Sequence, residues 1–322
     1  MSKRYAVISV GTNSTRLLLA DVEPENPRVE VARSTGTRIG EGLGERGHLT
    51  DEGMARTLDA IGQFQRAIRG HYVRLFAIST SALRRADNGE AFAQRVQERL
   101  GVPLRILSGE EEAIASYRGG LTAFATLRGE RVGVLDTGGG STEYAAGTST
   151  EPESVVSCEI GAVRLTEAVP ELRGGGGAAG DDAIKRAREL AREALQPLAE
   201  QPAIEKLALV GGSATTTAAI VRGKRTLIAS FLLDRAALQR VLEMLRNMPL
   251  EERKTIEGMK PQRADILPAG IIVLDMAMEL LKCDTAVATA ADLLLGVLLQ
   301  ERDAGQHHAP PAAPKARRGI RS

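Results

Sequence analysis

The chain has 322 residues, 43% of them hydrophobic and 26% charged, with a formal net charge of +1, the profile of a globular protein whose length favours two domains. A charge this close to zero gives no electrostatic case for nucleic acid or an anionic membrane, and 3% aromatic content without Trp argues against base-stacking platforms. The two cysteines, Cys158 and Cys283, are too far apart for a metal-ligand spacing or a disulfide framework, which fits a reducing, cytoplasmic compartment.

In chain order, "YAVISV" (5–10) and "TRLLLADV" (15–22) read as strands joined by "GTNS", and "VEVARS" (29–34) continues the sheet. Apolar spacing from Met54 through Leu58, Ile61 and Phe64 to Ile68 predicts a helix that ends at Gly70. "VRLFAIST" predicts a strand, and "NGEAFAQRVQERLG" a helix capped at Asn88 and stopped by Gly101. After the strand "LRILS", Ser108 and Glu111 form a capping box that opens a further helix. "RVGVLD" and "TEYAAG" are strands around "TGGGS". A polar-faced helix over "GDDAIKRARELAREALQPLAEQ", the strand "EKLALVGG" and helices in "RAALQRVLEMLRNM" and "PAGIIVLDMAMELLK" follow, and the chain closes with "ADLLLGVLLQERD". Strands alternating with helices give an α/β fold. "RGGGGAAG" (173–180) reads as a flexible surface loop, and residues 303–322 as a disordered basic tail. The longest apolar run, "LLLGVLL", is far below the length of a membrane span, and the start lacks the apolar core of a signal peptide.

Gly11, Ser14 and Thr15 align with Gly138, Ser141 and Thr142 at a constant offset of 127 residues, each set within a strand–turn–strand segment. The pattern reads as a duplicated unit, each half starting in a hairpin. A turn stripped of side chains lets backbone N–H groups approach an anion, phosphate above all. "VLDTGGGST" is not a P-loop, because no Lys-Ser or Lys-Thr follows, nor a dinucleotide fingerprint, because a strand follows it. Asp136 before such a turn suits a magnesium phosphate site. The plain alternative is a tight hairpin that needs glycine, with Asp136 in a turn hydrogen bond; the residues alone leave both open. The third turn, Gly211-Gly212-Ser213, leads into a helix whose start favours anions or simply uses Ser213 as a cap. Glu110, Glu111 and Glu112 complement a helix dipole, and Arg84 and Arg85 suit either a phosphoryl clamp or a solvated pair.

Seven segments in order, "GTNSTRLLLADV", "TRIGEGL", "ISTSALRRADN", "ILSGEEEA", "VLDTGGGSTEY", "EIGAVRLTE" and "LVGGSATTTAA", resemble the exopolyphosphatase / guanosine pentaphosphate phosphohydrolase (Ppx/GppA) family, over nearly all of residues 5–302. The resemblance implies two actin-like, ribonuclease-H-like α/β domains (1–125 and 126–302) with an active-site cleft between them. It implies a phosphoanhydride hydrolase in which Glu112 is the catalytic base and Arg84 contacts phosphate. Asp136 and Glu143 would hold Mg²⁺. Gly11, Asn13 and Ser14, then Gly138, Gly139, Gly140 and Ser141, then Gly211 and Gly212 would bind phosphate. The substrate implied is polyphosphate or guanosine pentaphosphate, with no nucleic-acid or membrane partner, and a homodimer by analogy. Ser9 stands where the family usually has Asp, and "TAADLLLG" (289–296) where it often reads Ser-Asp-x-Gly-Leu-Arg-x-Gly. Both departures bear on turnover more than on fold, and they favour an alternative reading: a weakly catalytic protein that binds polyphosphate or a guanosine alarmone.

Overall fold

The computed structural model describes residues 3–23, 27–124, 129–174, 180–224 and 230–307. The first half contains β1 (Arg4–Val10), β2 (Thr15–Asp21), β3 (Arg28–Thr35), the short α1 (Leu43–Arg46), α2 (Asp51–Ala67), β4 (Arg74–Ser79), α3 (Ser81–Arg85), α4 (Gly89–Leu100), β5 (Leu104–Ile106) and α5 (Gly109–Leu121). The second contains β6 (Val132–Thr137), β7 (Thr142–Gly147), β8 (Ser154–Cys158), α6 (Ala162–Ala168), α7 (Asp181–Ala194), β9 (Lys206–Val210), α8 (Gly211–Arg222), β10 (Phe231–Asp234), α9 (Arg235–Arg246), α10 (Leu250–Arg253), α11 (Leu267–Leu280), β11 (Thr285–Ala288) and α12 (Leu293–His307).

Among the described residues the strands form two sheets, ordered β3-β2-β1-β4-β5 and β10-β11-β9-β6-β7-β8. Five strands of the second sheet, β8-β7-β6-β9-β11, repeat the order of the first. In both, an antiparallel hairpin is followed by a parallel crossover onto its first strand, β1 with β4 and β6 with β9. This is the duplicated, actin-like α/β architecture. β1 carries Ala6, Val7, Ile8 and Val10 at full burial because both faces of its sheet are covered, whereas edge strand β3 is mostly exposed. α2 and α4 cover one face of the first sheet through Ile61, Phe64, Phe92 and Val96. α7, α9 and α11 cover one face of the second.

The remaining faces meet in the middle. α5 packs on β6 and β7 through Ala113, Tyr117 and Leu121, while α12 returns to β1 and β2 through Leu294, Val297 and Leu298. The division at residue 126 assigns α12 to the second half; in the fold it lies on the first sheet. Glycines let the two helices approach. A Cβ on Gly296 would sit 1.7 Å from the Ala115 carbonyl oxygen, and one on Gly119 would sit 2.1 Å from that of Asp292.

The capping box forms as the sequence predicts, Ser108 Oγ accepting from Glu111 N and Glu111 Oε2 from Ser108 N. Asn88 does otherwise: its amide binds both backbone groups of Leu49, pinning the preceding loop, and makes no side-chain cap. Gly101 ends α4 in the left-handed region, φ 74°. α12 runs through His307, so residues 303–307 of the expected disordered tail are helical; residues 308–322, like 175–179 of the glycine-rich loop, lie outside the described residues. β8, α6, β10 and β11 were not predicted. Each is short, and the sheet that receives the three strands and the α11 helix that receives α6 supply the pattern their own sequences lack. No described helix is long and apolar enough to cross a membrane.

Candidate active site

Two hairpin turns face each other across the cleft between the halves. In the first, Gly11 N donates to Ser14 O (3.1 Å); in the second, Gly138 N donates to Ser141 O (3.0 Å). The carbonyls of these turns are tied back: Thr12 O and Asn13 O accept from Gly40 N and Arg38 N, and Gly138 O and Gly139 O from Ala162 N and Val163 N. No acceptor among the described residues takes the N–H groups of Thr12, Asn13, Gly139 or Gly140, and all four residues line the cleft. Carbonyls fixed outward and donors left free make an anion site from backbone alone. The glycines of the second turn are not left-handed. They are needed because the turns interlock: a Cβ on Gly139 would meet Thr12 Cβ at 3.0 Å, and one on Gly140 would meet Ser81 Oγ at 2.7 Å.

Three carboxylates stand beside these turns. Asp136 closes β6 and Glu143 is its cross-strand partner on β7, so both project to one face. Glu112 is held over them by the first turn of α5 and is 5% exposed. Asp136 Oδ2 accepts from Ser116 Oγ (2.7 Å) and Glu143 Oε1 from Ser157 Oγ (3.1 Å). Arg84 Nη1 donates to Glu112 Oε1 (2.5 Å) and to Leu107 O (2.6 Å). Burial raises the affinity of all three acids for protons. Glu112 is pushed up to about 7 despite the opposing pull of Arg84, and Asp136 to about 6 by burial and the field of Asp292. Glu143 is raised well above the usual range by burial and its acidic neighbours. Acids that share one site and resist ionising together need positive charge between them.

A third donor set comes from the start of α8. Gly211 is left-handed, φ +87°, and a Cβ there would lie 2.6 Å from Asp136 Oδ1. No side chain caps this helix, so its first N–H groups are left to the cleft. Together these elements enclose about 590 Å³ of space open to solvent. The Arg263 guanidinium lies over Gly212, where a Cβ would be 1.9 Å from its central carbon. Arg16 pairs with the buried carboxylate of Asp292 at 2.5 Å.

The Ppx/GppA phosphatase family matches residues 20–302. The chain belongs to the Ppx/GppA phosphatase family. It is 32% identical to exopolyphosphatase 2 of Mycobacterium tuberculosis, over 92% of this chain and 98% of that protein. It is 26% identical to a bifunctional 3-dehydroquinate synthase/phosphatase of Fusobacterium nucleatum, over 92% of this chain; there it spans 46% of the relative's length. The crystal structure of an exopolyphosphatase from Cytophaga hutchinsonii superposes with a TM-score of 0.82 at 26% identity, covering 94% of this chain and 98% of that one.

On this Ppx/GppA frame, Gly11, Asn13, Ser14, Gly138, Gly139, Gly140, Ser141, Gly211, Gly212, Glu112, Asp136 and Glu143 all line one cleft. Arg84 does not line it and stands behind Glu112. Ser9 lines it too, 127 residues before Asp136 and at the matching place in its hairpin. Sequence reasoning missed Arg16, Lys260, Arg263 and Asp292. "TAADLLLG" lacks the expected acid, yet Asp292 within it is buried beside the site. The one sequence signal was the glycine pair at 211–212, which leaves room for a large side chain from elsewhere.

Proposed function

We propose that the protein is a Mg²⁺-dependent phosphoanhydride hydrolase that releases terminal phosphate from inorganic polyphosphate, guanosine pentaphosphate or both. The observation that carries this reading is the set of free backbone donors in two facing turns, with the buried Glu112 and Glu143 and the half-buried Asp136 beside them. The names of the relatives support it. The donor set fits a hard cation: Asp136 and Glu143 offer oxygens from adjacent strands, and their raised proton affinity marks a place short of positive charge. Mg²⁺ held by them, largely through water, would neutralise charge on the transferring phosphoryl group.

The chain's own residues do the rest. The N–H groups of Thr12, Asn13, Gly139 and Gly140 hold the terminal phosphate and stabilise its oxygens as charge shifts. Glu112 takes a proton from water. A new P–O bond forms to that water oxygen, the bridging P–O bond breaks, and orthophosphate leaves with the shortened chain as the other product. An affinity near pH 7 suits a base that must both gain and lose a proton at neutral pH. Arg84 fixes the Glu112 carboxylate from behind and keeps it aimed.

Ser9 favours a second reading. The carboxylate that would face Asp136 from the first hairpin is replaced by a hydroxyl, which suits a binding protein with weak turnover. Phosphate release from long-chain polyphosphate and from guanosine pentaphosphate, each with and without Mg²⁺, separates the two. Metal-dependent release from either supports the hydrolase; binding of both without release supports the sensor.

A further inference from the structure

Beyond Gly211 and Gly212 the cleft continues into a second, solvent-open chamber, about 1350 Å³ with the open solvent at its mouth, that shares Arg16 and Arg263 with it. Four cations line this chamber, Arg16, Arg33, Lys260 and Arg263, against one carboxylate, Asp292. Asp292 is already engaged by Arg16. Lys260 and Arg263 make no ion pair with any described carboxylate. Burial and the neighbouring arginines bring the Lys260 ammonium down to about 8, the mark of crowded like charges that an anion would relieve.

The sheet order places this chamber. The second sheet runs β9-β6-β7-β8. α5 begins over β8, where Gly109 touches Ser157, and brings Glu112 in beside Glu143 of β7. Gly211 follows directly from β9. Glu112 and the chamber therefore flank Asp136 from opposite sides. In-line displacement needs the attacking water and the leaving oxygen on opposite sides of phosphorus. With Glu112 on the side of the attacking water, a leaving group would depart toward the chamber that Lys260 lines.

We propose that this chamber holds the phosphates on the leaving side of a phosphoanhydride chain, and that Lys260 is a specificity residue that binds them. The inference rests on the phosphate-chain reading of the cleft and adds where the rest of the chain lies. A single phosphate fills the turns alone, whereas a longer chain must reach Lys260.

The test is calorimetric titration, with Mg²⁺ and in a Glu112→Gln background to stop turnover, using orthophosphate and tripolyphosphate as probes. Adding Lys260→Met weakens tripolyphosphate about tenfold, as expected for one charged hydrogen bond, and Lys260→Arg restores it. Orthophosphate affinity moves by less than about twofold, because Lys260 lies outside the turns. Equal weakening of both probes, an unchanged tripolyphosphate affinity, or no tripolyphosphate binding overturns the chamber. Phosphate release by the wild-type protein is read in parallel. Release with a Lys260→Met variant that binds normally removes the chamber and leaves the hydrolase. Lys260-dependent binding without release removes the hydrolase and upholds the chamber.

Discussion

In the proposed mechanism, turnover depends most on Glu112. Replacing it with Gln removes the base but keeps its size and its contact with Arg84. Turnover should fall by about a hundredfold or more, with substrate affinity little changed; steady-state turnover beside equilibrium binding decides this, and equal turnover removes Glu112 from the mechanism. Because a base works when unprotonated, kcat/KM should rise with pH through about 7 and then level off. That acid limb should vanish in the Gln variant. Ser9→Asp restores a carboxylate opposite Asp136. The half-saturating Mg²⁺ concentration should drop several-fold; an unmoved value would place position 9 away from the cation.

At the scale of elements, the α5–α12 contact is the least tolerant place in the fold. Gly296→Ala puts a methyl carbon where the Ala115 carbonyl stands, and backbone on both sides must shift. We expect a loss of about 3 kcal/mol, at the upper end for overpacking, read from denaturant unfolding. A cost under about 1 kcal/mol would mean that the helices slide freely. Because α5 also carries Glu112 and Ser116, the same change should lower turnover even where the protein stays folded. Most elements were legible in the sequence because their own patterns sufficed: the continuous β-rich apolar runs of the hairpins, the 3.6-residue spacing of α2, the capping box of α5. β10 and β11 were not legible, since four residues at a sheet edge carry no period of their own. Asn88 misled because a helix-start residue type served a long-range contact.

In the whole molecule, the two halves are clasped by Arg38, whose guanidinium grips both oxygens of Asp265 at 2.8 Å, and by Glu167, which accepts from Gly42 N at 2.6 Å. The clasp holds the two turns face to face, and the acids between them store unfavourable energy. Glu112 and Asp136 have folded-state affinities raised to about 7 and about 6, so the folded protein binds their protons more tightly than the unfolded chain. Their contribution is full below the unfolded values near 4 and is lost as pH rises through 6 to 7. Without metal, the melting temperature should therefore fall between pH 5 and pH 8, and Mg²⁺ at pH 8 should restore part of it. Thermal scans across that range, in wild type and Glu112→Gln, test this; the Gln variant should show a shallower fall. A melting temperature that rises over the same interval would show that these acids ionise without penalty.

Glycine turns, a capping box and a 127-residue offset are local features, written in neighbouring residues. They were enough to set out the α/β duplication and the glycine turns, while the roles expected of Glu112 and Glu143 came only with the resemblance to the Ppx/GppA family. The long-range partners were not written there. Arg263 and Lys260 enter from a segment before α11, and Asp292 from the turn before α12. Arg84 reaches Glu112 rather than the cleft. Which charges stand together depends on crossovers that join residues more than a hundred positions apart. Only the packed sheets and the crossing of α5 with α12 decide that, because burial and proximity, not residue type, determine what a charge does.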